Sequence, residues 1–262
     1  MSTRKPAVAG TFYPADEPSI HSMLDEYLAE AGDGDDDIRP KALIVPHAGW
    51  IYSGPVAASA YTLLEPLRDQ IERVVLFGPS HFVPFEGLAI TSDDEFSTPL
   101  GKIPIAREAA AALDDLDFVR EWDTPHAREH SLEVQLPFLQ KILGEFSLIP
   151  IAVGDATAAQ VGEVIERLWG DDETLILISS DLSHYEAYDT ARRIDEKTAS
   201  AIDSLSRTDL GPYEACGCRP INGMIHAAKS RGLSCTRLDL RSSGDTAGPK
   251  DRVVGYGAWA LQ

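Results

Sequence analysis

The chain has 262 residues, 44% of them hydrophobic, enough for a sizeable core in one large α/β domain or two small ones. Its formal charge is −19 and its isoelectric point about 4.6, which argues against binding to nucleic acid or to anionic lipid. Three cysteines, Cys216, Cys218 and Cys235, make no disulfide framework and fit a reducing compartment.

The opening "MSTRKPAVAGTFYP" lacks an apolar signal-peptide core, and no apolar run is long enough to span a bilayer. The expectation is a cytoplasmic protein. "GDGDDD" (Gly32–Asp37) reads as a solvated acidic loop. An Asp-rich, Lys-poor surface of this kind suits a salt-rich cytoplasm, where counter-ions screen self-repulsion; the alternative is an ordinary acidic cytosolic protein.

In chain order, "KALIVP" (41–46) predicts a buried strand, followed by an Ala-rich helix over Pro55–Leu64. "RVVLFGP" (73–79) predicts the next strand. "SLEVQLPFLQKIL" (131–143) predicts a helix with a kink at Pro137. A strand over "FSLIPIAVG" (146–154) precedes a helix over "TAAQVGEVIERLWG" (157–170), capped by Gly170. "TLILISS" (174–180) is a strand, residues 188–204 a helix, and "RVVGYGAWAL" (252–261) the last strand. The alternation predicts one α/β domain over residues 1–262, with a mostly parallel or mixed sheet covered on both faces.

Ligands bind such sheets at the carboxyl ends of their strands. His47, in "VPHAGWIYSG", follows strand 41–46; His81, in "GPSH", follows strand 73–79; Asp181 and His184, in "SSDLSH", follow strand 174–180. Any one of these is read most simply as a histidine satisfied by local hydrogen bonds. Three at equivalent strand ends predict convergence on one site. Neutral imidazoles suit Fe, Cu and Zn, and added carboxylates favour Fe(II) or Mn. "HAREHSLEVQLPF" adds Glu129 and His130 as pocket candidates, with complementing the helix dipole as the alternative role for Glu129. Asp245, in "RSSGDTAG", is either a site carboxylate or a turn residue. Trp50 and Tyr52 either line the pocket or pack over the loop. Cys216-x-Cys218 is too weak a pattern for a metal site and reads as small buried or loop thiols. There is no G-x-S-x-G elbow, no G-x-x-x-x-G-K-[ST] and no G-x-G-x-x-G after a strand, which argues against a serine hydrolase and a nucleotide cofactor.

"RKPAVAGTFYP", "PHAGWIYSG", "GPSH", Phe96–Gly101, "EHSLEVQLPF", "SSDLSHY" and "SSGDTAG…VVGYGA" run in order along nearly the whole chain and resemble the MEMO family, the B-type component of AmmeMemoRadiSam systems. The resemblance implies the fold of class III extradiol dioxygenases, with a metal pocket at the strand ends. It also implies that His47 and His81 are ligands and that Asp245 takes the place of a third ligand, cysteine in animal members. That would make a 2-His-1-carboxylate site holding a divalent metal, iron favoured, with copper or zinc as alternatives. His184 resembles the dioxygenases' acid/base, with Asp181 either to orient it or to reach the metal through water. The resemblance further implies a functional link to radical-SAM and AMMECR-type proteins. Three functions stay open: a metal-dependent redox enzyme acting on a small molecule, a peptide- or protein-binding module using the same pocket, and a metal-assisted hydrolase.

Overall fold

The computed structural model describes residues 2–206 and 209–262. In chain order the first elements are β1 (Thr3–Arg4), α1 (Glu17–Ala31), β2 (Ala42–Val45), α2 (Trp50–Tyr61), β3 (Arg73–Pro79) and β4 (Leu88–Ile90). Then come β5 (Glu95–Thr98), β6 (Gly101–Pro104), α3 (Arg107–Ala110), β7 (Val119–Glu121), α4 (Thr124–Ala127), α5 (His130–Glu133) and α6 (Leu136–Leu143). The rest are β8 (Ser147–Val153), α7 (Ala158–Arg167), β9 (Thr174–Ser179), β10 (His184–Glu186), α8 (Tyr188–Asp203), α9 (Cys218–Arg231), β11 (Cys235–Ser242) and β12 (Val253–Leu261).

The main sheet runs β10-β12-β2-β9-β3-β8-β4-β7, with β11 also paired to β12. Strands β2, β9, β3 and β8 are mutually parallel. β12 lies antiparallel to β2, and β4 antiparallel to β8. The sheet is therefore mixed, as expected for an α/β chain. The predicted strands 41–46, 73–79 and 174–180 are neighbours in it, with β9 between β2 and β3. Their continuous Val/Ile/Leu runs follow from burial on both faces. Alternate residues of β2, Leu43 and Val45 against Ala42 and Ile44, feed two apolar clusters on opposite sides of the sheet.

Several features differ from the sequence reading: α2 begins at Trp50 and not at Pro55, and α7 ends at Arg167 with Leu168, not Gly170, at its cap. The helix expected over 131–143 is two pieces, α5 and α6, with Pro137 in the first turn of α6, where its missing N–H costs nothing. Helices α1 and α9 are additional to the predicted elements; α1 has an Asp16 cap and α9 ends on Gly232 at φ +69°. Strand β11 is additional too, because "CTRLDLRS" alternates charged and apolar residues instead of forming a continuous apolar run. No helix among the described residues is long and apolar enough to cross a membrane.

Candidate metal centre

The carboxyl ends of β2, β3 and β9 meet above the sheet. β2 ends at Val45, and beyond Pro46 the buried His47 has only 1% exposure. Its main-chain N–H and that of Ala48 donate to Asp181 Oδ1 at 2.6 and 3.2 Å. The Cys216 N–H donates to the Asp181 carbonyl at 3.2 Å. Asp181 thus ties three loops together. Burial raises its pKa, opposed by the His47 N–H and by the nearby His184 and His130. His184 takes its orientation from the Leu182 carbonyl, which its Nδ1 meets at 2.8 Å, and not from Asp181.

The ring of His47 has its proton placed by hydrogen bonding. Ser179 Oγ lies 2.6 Å from the Ser131 carbonyl, an acceptor only, so the hydroxyl proton is committed there. The same oxygen then accepts from Gln135 Nε2 and from His47 Nδ1, each at 2.9 Å. His47 therefore carries its proton on Nδ1 and presents an unprotonated Nε2. Burial, and then the neighbouring His81, hold its pKa well below the ordinary imidazole range, so the ring stays neutral.

His81 is held in the same way by a different group. Its Nδ1 lies 2.8 Å from Glu129 Oε1, and its main-chain N–H donates to Glu129 Oε2 at 2.7 Å. Ser131 N–H adds a third bond to Oε1 at 3.0 Å. Burial works to raise the Glu129 pKa, but the bonds from His81 and Ser131 outweigh it and bring the carboxyl down to about 2. The carboxylate fixes the Nδ1–H tautomer of His81 and leaves Nε2 free, the arrangement that orients metal-binding histidines. The two rings lie edge to face with centroids 5.2 Å apart.

Cys216 completes the cluster. Its Sγ is 3.2 Å from His47 Nε2, and because that nitrogen bears no proton the thiol is the donor. Burial, reinforced by Asp181, pushes the thiol pKa up, so without an ion it stays protonated. One ligand atom each of His47, His81 and Cys216 fall within 4.8 Å of one another. Two unprotonated imidazole nitrogens and a thiol are a donor set for a borderline divalent ion, so the residues fit a metal.

Asp245 is not brought to this cluster. Its Oδ2 accepts from Ser242 N and Oγ at 2.9 and 2.8 Å, closing a capping box, and its Oδ1 accepts from Tyr188 OH. It lines a different cavity, with Arg192, Arg193, Arg237 and Arg241. The turn role wins because Ser242 and Tyr188 satisfy both carboxylate oxygens locally. Trp50 is likewise a core residue, 2% exposed, donating Nε1 to the Val134 carbonyl. Glu129 is wholly buried beneath His81 and is not among the residues lining the cavity in front of the histidines.

In front of the histidines lies a cavity of about 540 Å³ walled by Phe12, Tyr52, His130, Tyr185, Tyr256 and Arg252. Asp181 and His184 line it too. Phe12 is held there by a bond from Trp50 N–H to its carbonyl at 2.8 Å. The N-terminal segment carrying it is anchored by buried Glu133, which accepts from Ala7 N, Val8 N and Tyr13 OH and pairs with Arg4. Tyr185 is 64% exposed and adopts φ +60°, a left-handed conformation that costs roughly 1–2 kcal/mol for a non-glycine residue. Arg252 stacks over its ring at 5.3 Å. On the other side, Cys216 borders a second cavity of about 460 Å³ with Ser80, Pro84, Phe85 and Arg219.

Sequence reasoning missed Cys216, Ser179 and Gln135. The one local signal for Cys216 was the following Gly217, where an added Cβ would lie 2.8 Å from the Ser179 carbonyl. Only glycine lets the Cys216 loop approach β9 this closely.

A model of the family described as Memo-like protein matches residues 4–260. MEMO1 family proteins of Aquifex aeolicus and Methanosarcina mazei are each 35% identical, with 98% of both chains covered. One from Methanopyrus kandleri is 38% identical, with 97% of both covered. Among solved structures, an uncharacterized protein from Escherichia coli K12 is 12% identical with a TM-score of 0.54, covering 83% of this chain and 98% of that one; this likeness is one of fold alone. A match that extends over almost the entire length, carried by relatives at this identity, places the chain in the Memo-like protein family.

Proposed function

We propose that the chain is a metal-dependent redox enzyme whose ion is held by His47 Nε2, His81 Nε2 and the Cys216 thiolate. The observation that carries this reading is the protonation pattern. Ser179 and Glu129 each accept a hydrogen bond from the Nδ1–H of one ring, so both imidazoles keep Nε2 unprotonated within the same cluster. A structural histidine has no need of this arrangement, because either tautomer satisfies a single bond. A bound redox-active divalent ion such as iron would supply electron transfer and an open position for a small oxidant or substrate.

The chain's own residues do the rest. Cys216 gives up its proton on ligation. His184, with Nδ1 directed to the Leu182 carbonyl, keeps Nε2 as the free ring nitrogen to accept or return a proton in the cavity. Asp181 holds the His47 and Cys216 loops in register. Aromatic walls and the guanidinium of Arg252 favour a small, partly apolar anion over a bulky polar substrate.

The test is metal analysis of anaerobically prepared protein. His81→Ala should lose the metal, whereas His184→Ala should keep it and lose any turnover. If His184→Ala loses metal as severely as His81→Ala, the assignment of His184 to proton transfer fails.

A further inference from the structure

Holding His81 does not exhaust what surrounds Glu129. Its Oε1 lies 2.8 Å from His81 Nδ1 and 3.4 Å from His130 Nδ1. The His130 ring stacks on that of His81, with centroids 4.5 Å apart and planes 27° from parallel. Yet His130 Nδ1 is enclosed and makes no hydrogen bond among the described residues, despite its closeness to the carboxylate. An enclosed imidazole nitrogen left without a partner is uncommon and calls for an explanation. His81, Glu129 and His130 each offer a ligand atom within 4.8 Å of the others, the same spacing that relates His47, His81 and Cys216.

We propose that His81, Glu129 and His130 form a second cation subsite, adjacent to the first and sharing His81 with it. The donor set of two imidazoles and a carboxylate suits a harder divalent ion, Mn, Fe(II) or Zn, than the thiol-containing triad does. Bonds of about 2.1 Å would subtend roughly 85° across the shorter separation and 110° across the longer, between octahedral and tetrahedral values. The entering ion takes the place of the proton that His81 Nδ1 shares with Glu129. When His81 Nε2 already holds the first ion, that proton leaves to solvent and one proton is released; when Nε2 is free, the proton moves to it and none is released; neither case involves a change of oxidation state. With both subsites filled, His81 bridges them through its two ring nitrogens. The neighbouring His47 keeps its proton on Nδ1, donated to Ser179 Oγ, which restricts the sharing to His81. The proposal rests on the preceding reading only through this shared residue.

Equilibrium dialysis of metal-free protein against Zn²⁺ under anaerobic conditions tests it. Wild type should bind two ions per chain. His130→Phe, which keeps a ring stacked on His81 and packed against Phe12 but removes the nitrogen, should bind one; His47→Ala should also bind one; His81→Ala should bind none. Circular dichroism and melting confirm that each variant is folded, and His130→Gln serves if the Phe variant is not. Anomalous scattering from Zn²⁺-soaked wild-type crystals should place an ion between Glu129 and His130. If His130→Phe and His130→Gln bind as many ions as wild type, the subsite does not exist. If His47→Ala binds as many as wild type while the His130 variants lose one, the subsite stands and the reading of the first centre fails.

Discussion

Ser179→Ala isolates the claim that hydrogen bonding sets the His47 tautomer. The hydroxyl is fully buried and connects three groups: it donates to the Ser131 carbonyl and accepts from Gln135 Nε2 and His47 Nδ1. Gln135 Nε2 keeps its bond to the Pro46 carbonyl at 2.9 Å, so the substitution orphans one of its two N–H groups, one carbonyl and the His47 Nδ1–H. Each buried unpaired group costs about 1–3 kcal/mol, but His47 can escape by moving its proton to Nε2 and donating to Cys216. The net loss should therefore be about 2–4 kcal/mol, a fall of roughly 4–7 °C in Tm for a chain of this size. That escape removes the lone pair from the metal-facing nitrogen, so metal affinity should drop about 10–100-fold, as for loss of other groups that orient ligands. Competition with a chromophoric chelator measures the affinity, and calorimetry measures the stability. A folded Ser179→Ala protein that binds metal within twofold of wild type would refute the tautomer argument.

Two further outcomes follow from the same structure. Gly217→Ala places a Cβ 2.6–2.8 Å from Ser180 side-chain atoms and the Ser179 carbonyl, so the Cys216 loop must shift; metal affinity should fall about tenfold or more and stability by about 1–3 kcal/mol, read by the same two assays. His126 is 1% exposed, and burial lowers its pKa to about 4 while Nε2 donates to the Ala89 carbonyl. Between about pH 6.5 and 4 the unfolded chain binds a proton that the folded chain refuses, so stability is complete above that window and falls by about 3 kcal/mol on acidification through it. His126→Gln should reduce proton uptake on unfolding at pH 5 by about one, and an unchanged pH slope would show that His126 is not buried neutral.

The parts of the fold legible in the sequence were those whose burial is continuous. β2, β3, β8, β9 and β12 are apolar runs because both sheet faces are covered, and the histidines could be placed at strand ends from those runs alone. β11 pairs only with β12 and keeps its side chains half-buried, so its alternating pattern gave no such run. The site was legible in His47, His81 and Asp181, which lie in loops after strands, and in His184, which opens the short strand β10 just after one. Cys216, the third residue of the candidate ligand cluster, was not, because it arrives from the loop before α9, far from any strand end in the sequence, and its approach depends on Gly217. Asp245 misled for the opposite reason: in one dimension a carboxylate in a Gly-rich turn looks the same whether it faces a site or closes its own capping box.

Cys216 and Asp245 are the rival third ligands, and anaerobic loading with Co²⁺ separates them. A thiolate on cobalt gives an intense near-ultraviolet charge-transfer band that a carboxylate does not. The account predicts this band in the wild type, its loss in Cys216→Ser, and its persistence in Asp245→Asn. A wild-type cobalt protein without the band, or one whose cobalt is lost in Asp245→Asn and retained unchanged in Cys216→Ser, would contradict it.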